Sequence, residues 1–411
     1  MDIVIIGGGP AGLSAAIRAK ENGINDLLVI ERNDKPGGIL NQCIHHGFGL
    51  HVFKEELTGP EYAARLADRA AELGVHIEFN AMVVDVDGEK RVSYVTKQGY
   101  KQIDAKTVIL AMGCRERPRG ALAIPGSRGA GVFTAGTAQA FVNMKGLMPG
   151  KNIVILGSGD IGLIMARRLA LEGASVLGVY EIMPFSTGLK RNIAQCLNDY
   201  DIPLYLSHTV TRIQGKKRVE GVYTAKVDDA LNPLYETEQF IPCDTLLLSV
   251  GLIPENELSK KIGVELSPVT GGAVVSNKLE TNISGVFSCG NVLHVHDLAD
   301  SVTMEAFRAA DSAYDYIKNG PQTSKKIEVI CGKGIRYTVP SIIDYINGGS
   351  EQEIFFRSDN VYKKAAINVY KGEKLLYTKK KRIISPGEME DIKLMLTEYT
   401  PSISIEIEAS P

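Results

Sequence analysis

The sequence predicts an α/β fold in which two similar three-layer units, one nested in the other, precede a small mainly-β domain. A glycine-rich turn between a short apolar strand and a helical segment occurs at residues 7–12 and again at residues 157–162. An apolar strand that ends in glutamate follows each turn, and this pattern stops after Pro321. Because strands that alternate with helices are typical of a parallel sheet covered by helices, the repeat predicts two such sheets.

The first copy begins with an apolar strand at residues 2–6, followed by a glycine turn, a helix over 13–22 and a strand over 27–30 that ends at Glu31. Glycines at this spacing allow a tight turn, a close approach of the backbone to a pyrophosphate, and close packing of the helix on the strand. The helix N-terminus offers N–H groups to phosphates, and Glu31 can accept hydrogen bonds from ribose hydroxyls. This pattern predicts a Rossmann-like dinucleotide site at Gly7, Gly9, Pro10, Ala11, Gly12 and Glu31.

The second copy has its strand at 153–156, its helix at 163–172 and a further strand at 175–180 that leads to Glu181. Glu181 follows Gly162 by 19 residues, and Glu31 follows Gly12 by the same 19. A carboxylate here favours the free 2′-hydroxyl of NAD and repels the phosphate of NADP, although Lys190 and Arg191 are near in sequence. We predict a site that prefers NAD(H) over NADP(H) at Gly157, Gly159, Asp160, Ile161, Gly162 and Glu181.

Composition excludes several other classes of protein. Of the 411 residues 44% are hydrophobic and 23% are charged, and the net charge is −2, so nothing indicates nucleic-acid binding. There is no apolar run of about 18 residues, so no membrane span is expected. The six cysteines form no Cys-x-x-Cys pair, which predicts neither a disulfide framework nor a metal site and favours a reducing, cytoplasmic setting.

Over roughly residues 1–320 these features resemble the two-domain flavoproteins of the pyridine nucleotide-disulfide oxidoreductase family. The segments TVILAMG (107–113) and TLLLSVGLIP (245–254) are similar to the family's two crossings between domains. GVFSCGN (285–291) is similar to its late FAD motif, with Asn291 in place of the usual aspartate. The resemblance implies FAD on the first copy and a nicotinamide dinucleotide on the second. It adds Arg32, Gly38, Ile39, Val83, Ala111, Gly113, Gly290 and Asn291 to the FAD site, and Gly251 to the NAD site.

The resemblance also divides the chain. It implies an FAD-binding domain made of residues 1–115 and 249–321, an inserted NAD(H)-binding domain at 116–248, and a C-terminal domain at 322–411. A helix is predicted over 301–318, with Ala306, Phe307, Ala310 and Ala313 on its inner face. Alternating apolar runs after Pro321 predict strands, and residues 390–396 are predicted as a short helix. The charged run 379–382 is either a solvated edge or a docking surface for a partner.

Disulfide reductases carry two redox cysteines after the Gly37-Gly38 position, but this chain has only Cys43, so a dithiol relay is excluded there. GGILNQCIHHGFGL (37–50), LTGPEY (57–62), GCRERPRG (113–120) and CGNVLHVHDLAD (289–300) resemble a narrower subfamily. It comprises the NAD(P)/FAD-dependent oxidoreductase subunits associated with anaerobic glycerol-3-phosphate dehydrogenase. These are related to the flavin subunits of opine oxidase, hydrogen cyanide synthase and proline dehydrogenase.

This resemblance brings five side chains toward the flavin ring: Cys43, His45, His46, His294 and His296. A Cys43 thiolate would form a charge-transfer contact, and His45 or His46 would move a proton, so these three are the catalytic candidates. A packing role is the alternative for each of them.

The leading functional prediction is an FAD-dependent electron-transfer subunit, in which NADH and FAD exchange a hydride. Partner redox subunits, in a homo- or hetero-oligomer, would belong to a multi-component dehydrogenase such as a glycerol-3-phosphate dehydrogenase system. The alternatives are a stand-alone NADH oxidase or diaphorase, and a non-catalytic FAD-binding redox sensor or scaffold.

Overall fold

The computed structural model describes residues 1–346 and 349–409. The chain forms two compact units, of which the first comprises Met1–Cys114 with Pro254–Pro411 and the second Arg115–Ile253. The second unit is therefore an insertion in the sequence of the first. None of the helices in the described part of the chain is long and apolar enough to cross a membrane.

The N-terminal part of the first unit alternates strands and helices. Its strands are β1 (Ile3–Ile6), β2 (Leu27–Ile30), β3 (His46–Phe48), β4 (Leu57–Thr58), β5 (His76–Glu78), β6 (Met82–Val86), β7 (Arg91–Thr96), β8 (Gly99–Asp104) and β9 (Thr107–Leu110), with β10 (Cys114–Glu116) at the boundary. Its helices are α1 (Pro10–Glu21) and α2 (Gly59–Glu72), and a 3₁₀ turn covers Gly38–Gln42.

The second unit repeats this alternation. Its helices are α3 (Arg119–Leu122), α4 (Ala135–Lys145), α5 (Asp160–Leu171) and α6 (Lys190–Cys196). Its strands are β11 (Val132–Thr134), β12 (Asn152–Leu156), β13 (Ser175–Glu181), β14 (Leu204–Leu206), β15 (His208–Gly215), β16 (Val219–Lys226), β17 (Gln239–Pro242) and β18 (Thr245–Leu248), with β19 (Leu252–Pro254) at the boundary.

The chain then completes the first unit. Helix α7 (Glu257–Lys261), strand β20 (Val286–Ser288) and helix α8 (Ala299–Asn319) come first. The strands that follow are β21 (Lys325–Cys331), β22 (Ile335–Val339), β23 (Ile342–Tyr345), β24 (Ser350–Ser358), β25 (Tyr362–Lys371), β26 (Lys374–Ile384), β27 (Glu390–Leu396) and β28 (Ser402–Ala409).

Each unit is built on a five-stranded parallel sheet, with the order β20-β9-β1-β2-β5 in the first unit and β11-β18-β12-β13-β14 in the second. Every residue of β1, β2 and β9 is buried, as expected for parallel strands covered on both faces. Each unit also contains an antiparallel three-stranded sheet, β6-β7-β8 or β15-β16-β17. The predicted α/β fold with two Rossmann-like units is confirmed.

The C-terminal strands form two sheets, β23-β21-β28-β25-β26 and β22-β24-β27, which share a separate apolar core. The predicted β-rich C-terminal region is confirmed, but the short helix predicted at 390–396 is wrong. These residues form β27, which pairs antiparallel with β24. Glu390, Ile392, Leu394 and Leu396 are buried and the residues between them are not. This two-residue period faces a sheet core and has no counterpart in a helix.

Candidate functional site

In the first unit, four loops that carry predicted FAD residues leave the carboxyl ends of neighbouring parallel strands. The loops follow β1, β2, β9 and β20, which are adjacent in the sheet. They hold residues 7–12, Glu31, residues 111–113 and residues 290–291, respectively. Since ligands of open α/β sheets bind outside this edge, the sheet order alone gathers these loops at one place.

The first glycine turn leaves no room for side chains at two of its positions. Gly7 has a φ of +108°, and a Cβ on it would lie 2.5 Å from the Ala111 carbonyl oxygen. A Cβ on Gly12 would lie 1.8 Å from the Gly7 oxygen. A Cβ on Gly9, in contrast, would meet no heavy atom of the described chain within 4 Å beyond its own neighbours. The backbone of Gly9 therefore borders open space, beside the α1 N-terminus at Pro10 and Ala11.

Glu31 is held by the turn that it faces. It is 4% exposed, its Oε2 accepts a hydrogen bond from Gly8 N at 2.6 Å, and its Oε1 accepts one from Asn33 N at 2.8 Å. Each carboxylate oxygen keeps a further lone pair with which it can accept a ribose hydroxyl. Arg32 beside it is exposed, whereas the Val83 side chain is buried in the core of the unit. Only the backbone of Val83 is therefore able to contact a cofactor.

Two further loops lie against the first glycine turn. Gly37 N donates to Gly8 O at 2.8 Å, and a Cβ on Gly38 would lie 3.1 Å from the Gly9 Cα. A Cβ on Gly290 would lie 2.8 Å from the Ala11 Cβ. Ile39 is 54% exposed next to this junction. The loops that hold Gly9, Gly38 and Gly290 thus pack together into one cleft wall, and their glycines permit this close approach.

The second unit repeats this geometry. Gly157 has a φ of +91°, and its N–H donates to Tyr180 O at 2.7 Å. Glu181 is 4% exposed and accepts hydrogen bonds from Ser158 N at 2.9 Å and from Met183 N at 3.0 Å. These two donors are the counterparts of Gly8 and Asn33, so the same backbone conformation orients both glutamates.

The second turn differs from the first in what surrounds it. Asp160 Oδ1 accepts hydrogen bonds from Leu189 N at 2.8 Å and from Asn192 Nδ2 at 2.6 Å, so its carboxylate is turned toward the α6 segment. A Cβ on Gly159 would lie 3.1 Å from Ser249 Oγ, which accepts a hydrogen bond from Gly162 N at 3.0 Å. The remaining predicted residues are Ile161, which is partly buried, and Gly251, which has a φ of +97°. Lys190 and Arg191, the nearby cations that count against a preference for NAD(H), are exposed.

The three catalytic candidates lie in one loop after Gly38. Burial raises the pKa of the Cys43 thiol to about 12, and its Sγ donates to Ile39 O at 3.4 Å. Cys43 is therefore a neutral thiol near pH 7, which disfavours the predicted thiolate. His45 is half-buried with Nδ1 3.1 Å from His46 O and its ring 5.0 Å from that of Phe48. His46 is exposed at the start of β3.

His294 and His296, which the sequence resemblance brings toward the flavin ring, lie in the interior of the first unit. The exposed fractions of their side chains are 0% and 1%, so protein atoms enclose both rings. Their Nε2 atoms lie 2.9 Å and 3.1 Å from the two oxygens of Glu305. Burial, with a smaller effect of the His296 charge, lowers the pKa of His294 to about 4. Burial alone would raise the pKa of Glu305, but the two histidines outweigh it and hold this pKa well below its usual range.

Glu305 is the residue of this region that the sequence analysis missed. It lies on α8 between Val302, Ala306 and Ala309, which are all buried. A glutamate on the apolar face of a predicted helix is the signal that would have found it.

A parallel-sheet unit that contains an inserted unit of the same design defines a two-domain dinucleotide-binding protein. The model of the pyridine nucleotide-disulphide oxidoreductase family matches residues 1–314, which is more than half of the chain. The chain therefore belongs to this family and is an FAD-dependent oxidoreductase.

Curated relatives are similar over part of their length. Hydrogen cyanide synthase subunit HcnB of Pseudomonas protegens is 27% identical over 283 residues, which cover 64% of this chain and 59% of the relative. An opine oxidase subunit of Agrobacterium tumefaciens is also 27% identical over 283 residues, with 64% of this chain and 55% of the relative covered. The matched part of the chain thus spans less than two thirds of either relative.

Solved structures share the fold. Thioredoxin reductase of T. acidophilum is 25% identical with a TM-score of 0.63, and the match covers 76% of this chain and 97% of that one. L-Proline dehydrogenase of P. horikoshii is 20% identical with a TM-score of 0.55, and the match covers 78% of this chain and 56% of that one. The relation to the hydrogen cyanide synthase and opine oxidase proteins, expected from sequence, is confirmed, and the proline dehydrogenase shares the fold.

Proposed function

We propose that the chain binds FAD in its first unit and NADH in its second, and acts as an electron-transfer subunit of a multi-component dehydrogenase. The observation that carries this proposal is the pair of glycine turns, each with a glutamate fixed by two backbone N–H groups. Bound FAD would supply hydride and electron transfer, and the protein supplies binding, orientation and exclusion of water.

The first unit fits FAD by the shape of its cleft wall. The space in front of Gly9 and the N-terminus of α1 suit a pyrophosphate, and Glu31 suits a ribose. Gly38, Ile39, Ala111, Gly113, Gly290 and Asn291 would hold the rest of the cofactor.

The second unit favours NADH over NADPH. Glu181 repels a 2′-phosphate, while Lys190 and Arg191 lie exposed on the next helix and are the residues that would oppose this preference. Gly157, Gly159 and Gly162 provide the turn for the pyrophosphate. Hydride transfer to a flavin needs stacking more than an acid or base, so we assign Cys43, His45 and His46 to the surroundings of the flavin.

Two observations support an electron-transfer subunit. The hydrogen cyanide synthase and opine oxidase relatives are both subunits by name. In addition, this chain has Cys43 but no second cysteine beside it, so electrons that reach FAD would leave by another redox group. A glycerol-3-phosphate dehydrogenase system in the cytoplasm is the partner that the sequence resemblance favours.

Anaerobic titration of the purified yellow protein with NADH, and separately with NADPH, tests the proposal. We expect NADH to bleach the oxidised flavin stoichiometrically and NADPH to do so at much higher concentration. Glu181→Gln should change the response to the two nucleotides and Glu31→Gln should change the retention of FAD, so the two variants distinguish the two proposed sites. A colourless chain that takes up no added FAD, or a flavin that neither nucleotide reduces, would contradict the proposal.

A further inference from the structure

The loop between β20 and α8 is fixed by a buried carboxylate. Glu305, which is 1% exposed, accepts three hydrogen bonds: Gly290 N donates to its Oε1 at 2.6 Å, His296 Nε2 lies 3.1 Å from the same oxygen, and His294 Nε2 lies 2.9 Å from Oε2. Two imidazoles and one backbone amide thus satisfy one buried carboxylate. Three points of the loop are thereby tied to one helix residue.

His296 connects this carboxylate to Asn291. While its ring is bound to Glu305, its backbone N–H donates to Asn291 Oδ1 at 3.0 Å. This hydrogen bond orients the Asn291 amide, and its Nδ2 group carries two N–H donors that can face a ligand of the cleft. His294 shares the carboxylate but not the bond to Asn291, so the two rings differ in their connection to the cleft.

The C-terminal sheets brace the other end of the same loop. Asp297 pairs with Arg357 of β24 and accepts a hydrogen bond from Met389 N at 2.6 Å, and Arg357 also donates to Val295 O at 3.2 Å. The ring of Phe355 lies 5.9 Å and 6.1 Å from the rings of His294 and His296, measured between centroids. Phe355 and Arg357 of β24 thus contact the loop at Val295, at Asp297 and at its two histidines.

A metal ion is the competing occupant of this cluster, because ligand atoms of His294, His296 and Glu305 lie within 4.8 Å of one another. A metal-bound imidazole normally donates its second N–H to a carboxylate or a carbonyl. The Nδ1 atoms of both histidines are buried, and neither has a hydrogen-bond partner among the described residues. A proton on each Nε2 leaves Nδ1 as an unpaired acceptor, which costs less than the unpaired buried donor that a metal would create.

We propose that Glu305 is a positioning residue which, through His296, fixes the amide of Asn291 toward the FAD bound in the first unit. This inference rests on the proposed FAD site and adds to it the residue that orients one of its contacts. In this proposal the C-terminal sheets support the loop between β20 and α8 through contacts of Phe355 and Arg357.

The test compares His296→Leu with the matched variant His294→Leu in the full chain. Both variants remove one hydrogen bond from Glu305, so we expect similar losses in melting temperature. The dissociation constant of FAD, measured by fluorescence on titration of the apoprotein, should rise about tenfold for His296→Leu and less than about threefold for His294→Leu.

A double-mutant cycle with Asn291→Ala separates positioning from general destabilisation. If His296 acts through Asn291, His296→Leu should weaken FAD binding no further in the Asn291→Ala background. If His296→Leu does not fold, Glu305→Gln takes its place in the same cycle. Equal effects of the two histidine variants, additive effects in the cycle, or one equivalent of metal in the native protein would each overturn the inference. A native chain that binds no FAD would instead contradict the proposed function.

Discussion

The two glutamates that end β2 and β13 show how one backbone conformation can orient two similar side chains. Each is 4% exposed and accepts one N–H from the glycine turn and one from two residues downstream. Ser158 Oγ adds a third donor to Glu181 at 2.6 Å, where Gly8 of the first turn has no side chain. Glu181 is thus the more firmly held of the two, as suits a carboxylate that selects between nucleotides.

Glu181→Gln is expected to reduce the preference for NADH over NADPH about tenfold, because it removes the charge that repels a 2′-phosphate. Rapid-mixing measurement of flavin reduction by each nucleotide gives this ratio. The control Glu31→Gln should weaken retention of FAD and leave the ratio unchanged. An unchanged ratio in Glu181→Gln would assign cofactor choice to Lys190 and Arg191 instead.

The buried His294 should make the stability of the protein depend on pH. Its folded-state pKa of about 4 lies below the ordinary value of 6.5, so the unfolded chain binds a proton that the folded chain does not. The contribution of His294 to stability is therefore fully present above about pH 6.5 and is lost, by up to about 1.4 kcal/mol per pH unit, as the pH drops toward 4. Urea unfolding between pH 7 and pH 4.5 measures this slope. His294→Gln should flatten this slope, and the control His76→Gln, at an exposed position, should not. Equal slopes in the native protein and in both variants would disprove the assignment of the pH dependence to His294.

At the scale of elements, the strand–turn–helix units depend on glycines for two different reasons. Gly12 lies where α1 packs on the turn, and a Cβ there would overlap the Gly7 oxygen. Gly9 has an ordinary φ of −77°, and its Cβ position is open. Gly12 is therefore required for folding, and Gly9 for the approach of a ligand.

Gly9→Ala and Gly12→Ala should separate these two requirements. Gly12→Ala is expected to destabilise the protein by about 1–3 kcal/mol through overpacking. Gly9→Ala should change stability by less than about 0.5 kcal/mol but lower FAD affinity at least tenfold, since its methyl group fills the ligand's space. Thermal unfolding and flavin content distinguish them, with the exposed Gly88→Ala as the control. Full FAD affinity in Gly9→Ala would place the pyrophosphate elsewhere.

Strand β27 offers a test of the C-terminal core. Ile392 is 0% exposed and points into that core, whereas Lys393 faces outward and pairs with Glu353. Ile392→Ala should cost about 2–5 kcal/mol and Lys393→Ala less than about 1 kcal/mol. Chemical denaturation of both variants gives these values. Similar losses for the two would contradict the alternating burial of the strand.

At the scale of the whole molecule, one chain carries two parallel-sheet units that share the order of four strands, β9-β1-β2-β5 and β18-β12-β13-β14, and differ in the fifth. The strand beyond β9 in the first unit is β20, which comes late in the chain, whereas the strand beyond β18 in the second is β11, which comes early. Each parallel sheet is thus formed by strands of its own unit alone. In the proposed function FAD and NADH occupy the two units, and because the loop after Gly38 holds one cysteine, Cys43, electrons would pass from FAD to a separate partner.

The isolated holoprotein should therefore use oxygen poorly. We expect NADH consumption in air below about 1 s⁻¹, at the lower edge of ordinary enzyme turnover. Addition of a redox subunit that co-purifies with the tagged chain should raise this rate at least tenfold. Oxygen electrode and absorbance measurements give both rates. Fast oxygen consumption by the chain alone would identify a stand-alone oxidase.

Local patterns in the sequence predicted the two glycine turns, their glutamates and the parallel strands, because each depends on residues within one strand–turn–helix segment. The same patterns misplaced residues 390–396, where seven residues are too few for periodicity to distinguish a helix from a strand. Pairing with β24 decided that segment.

The sequence by itself determined the fold class and the two glycine turns, since glycine spacing and apolar periodicity act through the local backbone. Only the tertiary structure decided the protonation of Cys43 and His294, because burial changes the proton affinity of a side chain and depends on residues distant in sequence. Glu305 approaches the histidines from α8, and Phe355 from a strand about fifty residues further along the chain. Contacts between residues so far apart leave no short-range pattern in the sequence. The buried cluster of Glu305, His294 and His296 is therefore defined only by the tertiary structure.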